Sequence, residues 1–131
     1  MTVYLCVDED MGVAFNGRRQ SRDSAVISKI WEMSEGRVTC SAYSARLFEK
    51  YGDVDTEAEL EKTAADAHWF SELDGLAGRE NEIDKLVIFR WNRKYPHDVT
   101  LGLSLKKLKL TDTFEFRGTS HDNITCEVWT R

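Results

Sequence analysis

Two apolar runs far apart in a chain of 131 residues do most to limit how it can fold. The first, Thr2–Val7, reads Thr-Val-Tyr-Leu-Cys-Val, β-branched and apolar with little alternation. That pattern suits a strand covered on both faces rather than one with a wet side. The second, Lys85–Trp91, is the clearest internal strand, with Leu86-Val87-Ile88-Phe89 as its apolar centre. Between them lies one amphipathic segment. Ser21 or Asp23 can cap a helix running to Ser34, with Val26, Ile27, Ile30, Trp31 and Met33 at helical spacing and Gly36 ending it.

The remaining segments fill in a mixed pattern. Asp8–Gly12 reads as a turn, and the run Val13–Phe15 after it suggests a hairpin with the first strand. Residues 37–42 read as a strand and 44–51 as a short helix capped by Ser44. The acidic, alanine-containing stretch 53–66 reads as a solvent-exposed helix. Residues 66–73 read as a short strand, 74–84 as loop with one helical turn, and 99–103, 108–116 and 123–130 as further strands. Pro96 marks a loop, because the residue before it is steered away from helix. No repeat or linker divides the chain. The expectation is a single α/β (α+β) domain over residues 1–131, a mixed sheet with helices packed on it.

Charge and cysteine usage narrow the function. The net charge of −5 opposes indiscriminate nucleic-acid binding, which needs summed positive charge. The charge is uneven, however. Residues 49–84 hold three basic and twelve acidic side chains, a net of −9, and residues 85–117 hold eight basic and three acidic, a net of +5. Cys6, Cys40 and Cys126 are odd in number, lack Cys-x-x-Cys spacing and fall in strand-like runs, as buried thiols in a reducing cytoplasm would. The first residues have neither the basic start nor the apolar run of a signal peptide. No stretch approaches the roughly 18 apolar residues of a membrane span, so a cytoplasmic protein without a membrane partner is expected.

Two arginine-rich segments carry the candidate chemistry. Asn16-Gly17-Arg18-Arg19-Gln20-Ser21-Arg22-Asp23 joins a strand to the helix, where free backbone N–H groups would add to an anion site. Phe89-Arg90-Trp91-Asn92-Arg93-Lys94-Tyr95-Pro96 ends the second strand; Arg90 and Asn92 share one face there, opposite Phe89 and Trp91. Arg18, Arg19, Arg22, Arg90, Asn92 and Arg93 are therefore the candidate ligand-binding residues. The competing reading is a set of Arg–carboxylate pairs bracing loops, with Trp91 and Tyr95 in the core. Neither a Walker loop nor a dinucleotide fingerprint occurs, so no cofactor is expected.

His68, His97 and His121 have no metal-ligand spacing, and no metal site is expected. His121, in the polar loop Gly118–Asp122, is the candidate general acid or base, with Arg18 or Arg90 on a phosphate. Ser120-His121-Asp122 is equally ordinary turn chemistry. No Gly-x-Ser-x-Gly elbow supports a serine nucleophile. Glu72, beside Trp69 and Phe70, reads as a partly buried base or, better, an arginine partner.

Val3–Asp8, Phe15–Asp23, Arg90–Pro96 and Ser120–Trp129 together resemble a group of small proteins from Firmicutes bacteria, some of which carry the label ribonuclease Z. The His-x-His-x-Asp-His metal motif of ribonuclease Z is absent, so the resemblance assigns no catalytic residue. The expected function is binding, or cleavage, of a phosphate-bearing small molecule or RNA through the arginines. The alternative is a non-catalytic module that meets a protein partner, or itself, through complementary acidic and basic surfaces.

Overall fold

A computed structural model describes residues 1–131. Along the chain run β1 (Thr2–Val7), β2 (Gly12–Phe15), β3 (Arg18–Arg19), α1 (Ser24–Met33), β4 (Val38–Cys40) and α2 (Ala42–Ala45). They are followed by β5 (Asp55–Thr56), β6 (His68–Phe70), β7 (Lys85–Arg90), β8 (Val99–Thr100), β9 (Lys109–Phe116) and β10 (Ile124–Thr130). Seven strands form one sheet in the order β5-β4-β6-β1-β7-β10-β9. The first five are parallel to their neighbours; β10 runs antiparallel between β7 and β9. The mixed sheet expected from the sequence is thus present.

The two apolar runs lie side by side at its centre, Val3 opposite Leu86 and Leu5 opposite Ile88. Alternate residues feed two cores. Tyr4, Val87 and Phe89 join Val26, Ile27 and Ile30 of α1 on one face. Val3, Leu5, Val7, Leu86 and Ile88 join Val13, Leu76, Ile83 and Leu101 on the other. Each such side chain, fully buried, stabilises the fold by about 1.5–3 kcal/mol. Helix α1 begins where Asp23 accepts from the Ala25 N–H at 2.9 Å and closes at Ser34. Gly36 follows with φ 74°, a left-handed conformation that glycine adopts without steric cost.

Three local expectations fail, each for a visible reason. Residues 53–66 do not form a helix; they hold β5 and a single 3₁₀ turn at Leu60–Lys62. Asp53/Glu57, Asp55/Glu59 and Glu57/Glu61 would stand at helical i,i+4 spacing as like charges, and Leu60 alone of the stretch is buried. Second, β2 does not pair with β1. The Asp8 carboxylate accepts from the Asp10 and Gly12 N–H groups, each at 2.8 Å. That tight turn lifts β2 into a separate sheet with β3 and β8. Third, Ser41 rather than Ser44 caps α2, which runs on into a 3₁₀ turn at Arg46–Phe48. No helix is long and apolar enough to cross a membrane.

Candidate functional site

Strand β1 has β6 on one side and β7 on the other, while the chain leaving β1 crosses through α1 to β4 on the β6 side. In an open α/β sheet such a reversal leaves a crevice at the carboxyl ends of the strands, the usual place for a ligand. A cleft opens there. Cys6 of β1, Phe70, Ser71 and Glu72 at the end of β6 and Trp91 just past β7 line it. Val26 and Ile27 of α1 face them, and residues 19–23 complete the wall. Counted out to its mouth the empty space is ≈ 370 Å³, yet the enclosed room is only ≈ 20 Å³. That room holds about one water molecule.

Arg19 reaches across to Glu72 and closes the cleft. Its Nε and Nη2 donate to the two carboxylate oxygens of Glu72 at 2.7 and 2.9 Å. The Ser44 hydroxyl donates to the same carboxylate at 2.7 Å. The Arg19 guanidinium also lies 4.3 Å from the Tyr43 ring centre. The hydrogen bond to Glu72 raises the pKa of Arg19 above its usual value, so it stays charged. Glu72 is only 8% exposed. This is the arginine partnership its sequence neighbours suggested.

Beside it, Gln20 presents an unpaired acceptor. Its Nε2 donates to Asp8 Oδ2 at 2.8 Å and to the Pro96 carbonyl at 3.3 Å, groups that only accept. The amide orientation is therefore fixed, and Oε1 is left buried without a partner. Asp8 is buried, which alone would raise its pKa. The Gly12 N–H, the Gln20 amide, the Asp10 N–H and nearby His97 outweigh that and lower it.

The third feature joins the start of α1 to the loop before β10. Asp23 accepts from the N–H groups of Ala25, Thr119, Ser120 and His121 and from the His121 ring. Burial alone would raise its pKa; the Thr119 N–H, the His121 ring, and the Ser120 and Ala25 N–H groups hold it well below the usual carboxylate range. His121 Nδ1 lies 3.0 Å from Asp23 Oδ2. An ionised carboxylate only accepts, so in the neutral imidazole the proton sits on Nδ1. Nε2 then carries one lone pair, for which the Tyr95 hydroxyl at 2.9 Å and the Ser21 hydroxyl at 3.2 Å compete. Trp91 stacks on the ring with centroids 4.5 Å apart.

The structure thus brings the two arginine-rich segments together, through Gln20 with Pro96 and Ser21 with Tyr95, but does not converge the arginines. Arg19 pairs with Glu72, and Arg90 pairs with Glu127 at 2.9 Å on the neighbouring strand β10. Asn92 donates to the Asn123 carbonyl and the Thr125 hydroxyl, bracing β7 to β10. Arg18 and Arg93 are exposed. Of the six candidates only Arg19 and Arg22 line the cleft. His121 is buried, at 3% exposure, rather than open in a polar loop. No group of three or more His, Cys, Asp or Glu side chains is placed to hold a metal ion.

A second groove adjoins the cleft, sharing Arg22, Asp23, Ile27 and Leu47 with it. Arg22, Arg46 and Lys50 line it with Ser24, Thr119 and Ser120, a set of cations and hydroxyls. Arg46 and Lys50 escaped the sequence reading because they sit outside both arginine-rich segments. Gln20 and Tyr95 lay inside those segments, but their contacts span 76 and 26 residues and leave no local trace.

No family model and no curated protein sequence matches this chain. Among solved structures it is similar to a dihydrofolate reductase from Enterococcus faecalis complexed with NADP(H) and RAB-propyl. The TM-score is 0.68 at 9% identity, over 99% of this chain and 95% of that one. This match, with Arg19 and Arg90 engaged by internal carboxylates, overturns the expectation of an arginine cluster for phosphate or RNA. It equally overturns that of an interaction module of opposed charged surfaces. At this identity the likeness shows the fold alone: the chain has the fold of a dihydrofolate reductase.

Proposed function

We propose that this chain binds a flat nitrogen heterocycle of the folate class in the cleft, with Glu72 as its anchor. The bidentate Arg19–Glu72 pair carries this reading. A guanidinium and the N–C–N edge of a 2-aminopyrimidine, as in a pterin, offer a carboxylate the same two parallel donors. Arg19 therefore stands where such a ring would dock. Hydrogen bonds to charged groups are each worth roughly 1.5–3 kcal/mol, so only a ligand with an equivalent fork displaces it. Phe70, Trp91, Val26 and Ile27 supply apolar walls for the ring, and Gln20, whose Oε1 has no partner, lines the same cleft. The adjoining groove with Arg22, Arg46 and Lys50 suits the carboxylates of a glutamate tail. Three unpaired cysteines support a cytoplasmic setting.

The Enterococcus faecalis enzyme is complexed with NADP(H), and the corresponding cradle is a poor fit here. A pyrophosphate needs free N–H groups at a helix start and glycines that let the backbone approach. Both helix starts are closed by the chain's own side chains, Asp23 and Ser41. The turns after β4 and β6 read Ser41-Ala42 and Ser71-Glu72, without glycine. Gly75, further on, is packed so closely against the Thr100 carbonyl that a Cβ would clash with it. The proposed function is accordingly binding, with no step through a dinucleotide.

A thermal-shift series with folate and dihydrofolate tests it. Ligand at one hundred times its Kd stabilises a fold by about 2.7 kcal/mol, a shift of several degrees at this size. The shift is expected in the wild type and lost in Glu72→Gln. A flat series for both ligands would sink the reading.

A further inference from the structure

We propose that Ser21, His121 and Asp23 form a nucleophile–base–orienter relay that hydrolyses short-chain carboxylic esters at the mouth of the cleft. This proposal rests on the relay's own geometry and not on the folate-class reading. Ser21 Oγ lies 3.2 Å from His121 Nε2, and His121 Nδ1 lies 3.0 Å from Asp23 Oδ2. That connectivity is what an activated serine requires: a hydroxyl on the unprotonated ring nitrogen and a carboxylate fixing the tautomer from the other side. The base and its orienter are rigidly held. Their side chains are 1% and 0% exposed, Trp91 stacks on the imidazole, and four backbone N–H groups fix the carboxylate. Ser21, by contrast, is half-buried and lines the cleft.

The chemistry balances without a cofactor. As Ser21 Oγ attacks the ester carbonyl carbon, its proton passes to His121 Nε2 and a C–O bond forms. The resulting oxyanion collapses, the bond to the alkoxy group breaks, and the alcohol leaves with the proton from Nε2. A water molecule then attacks the acyl-serine, giving its proton to His121, and the carboxylic acid is released as Ser21 recovers its hydrogen. The backbone N–H groups of Ser21 and Arg22 make no hydrogen bond within the chain, and the proposal assigns the oxyanion to them. The enclosed room is too small for an acyl chain, so the ester sits in the wider mouth of the cleft, which favours a short acyl group.

Tyr95 distinguishes this relay from a purely structural latch. Its hydroxyl lies 2.9 Å from His121 Nε2 and 3.5 Å from Ser21 Oγ, so it shares the lone pair that must take the serine proton. Removing it leaves that lone pair to Ser21 alone. A latch would lose a hydrogen bond and gain nothing.

The test combines fluorophosphonate labelling, mapped by mass spectrometry, with hydrolysis of p-nitrophenyl acetate. The wild type is expected to carry the adduct on Ser21 and to release p-nitrophenol. Ser21→Ala should lose both, with a rate drop of roughly 100-fold or more. Tyr95→Phe should hydrolyse the ester several-fold faster than wild type. If Ser21→Ala melts early, Ser21→Cys keeps the side chain's shape and should transfer reactivity to iodoacetamide at residue 21. No adduct on Ser21, or an unchanged rate in Ser21→Ala, overturns the proposal and leaves Asp23–His121 as a latch. Loss of activity in Tyr95→Phe overturns the role given to the shared lone pair.

Discussion

Asp23 concentrates more donors than any other carboxylate near the site, and its protonation should govern acid stability. It caps α1, holds the Thr119–His121 loop and fixes the His121 ring. Its folded pKa lies well below the roughly 3.9 of an unfolded aspartate. The stability it contributes is therefore fully present above about pH 4 and lost as pH falls towards the folded value. Asp8, also lowered, adds a loss of the same sign. Melts between pH 7 and 2 should show the steepest loss below about pH 4. Asp23→Asn should be less stable at pH 7 and show a flatter acid slope; an unchanged slope would contradict this assignment. Asp23→Ala should cost roughly 3 kcal/mol or more, a lost cap together with stranded buried donors. Part of this was legible in the chain, since Asp23 sits where a helix cap belongs. Its partnership with His121, 98 residues away, left no local mark.

At the level of elements, helix α1 shows why some of the fold could be read directly. Val26, Ile27 and Ile30 recur at helical spacing, and all three are buried against the sheet. Ile30 is fully enclosed, and Ile30→Ala should cost roughly 2–5 kcal/mol in a denaturant titration, with an unchanged m-value. A cost below about 1 kcal/mol would mean that the helix does not pack as described. The acidic stretch 53–66 misled for the opposite reason. Its alanines and glutamates have helical propensity, but like charges at i,i+4 and the lack of an apolar face leave nothing to hold a helix to the core. The turn at Asp8–Gly12 was recognisable, while the departure of β2 into another sheet was not. A turn's side-chain hydrogen bonds do not say which strand comes next to it.

For the whole molecule, sheet order decides where the site lies. The strand-like character of β1 and β7 was plain in their residues, but their adjacency and the insertion of β6 on the far side of β1 depend on long-range pairing. That order places Glu72, Arg19 and Trp91 around one cleft, and the same fold occurs in a dihydrofolate reductase. In the proposed function Arg19 is an internal occupant of the Glu72 carboxylate, one that a heterocycle would have to displace. Calorimetric titration of dihydrofolate into wild type, Arg19→Ala and Glu72→Gln tests this most directly. Arg19→Ala, with its carboxylate vacated, should bind more tightly than wild type by tenfold or more, equivalent to about 1.4 kcal/mol, and Glu72→Gln should not bind. Equal or weaker binding by Arg19→Ala would show that the guanidinium does not occupy the ligand's place.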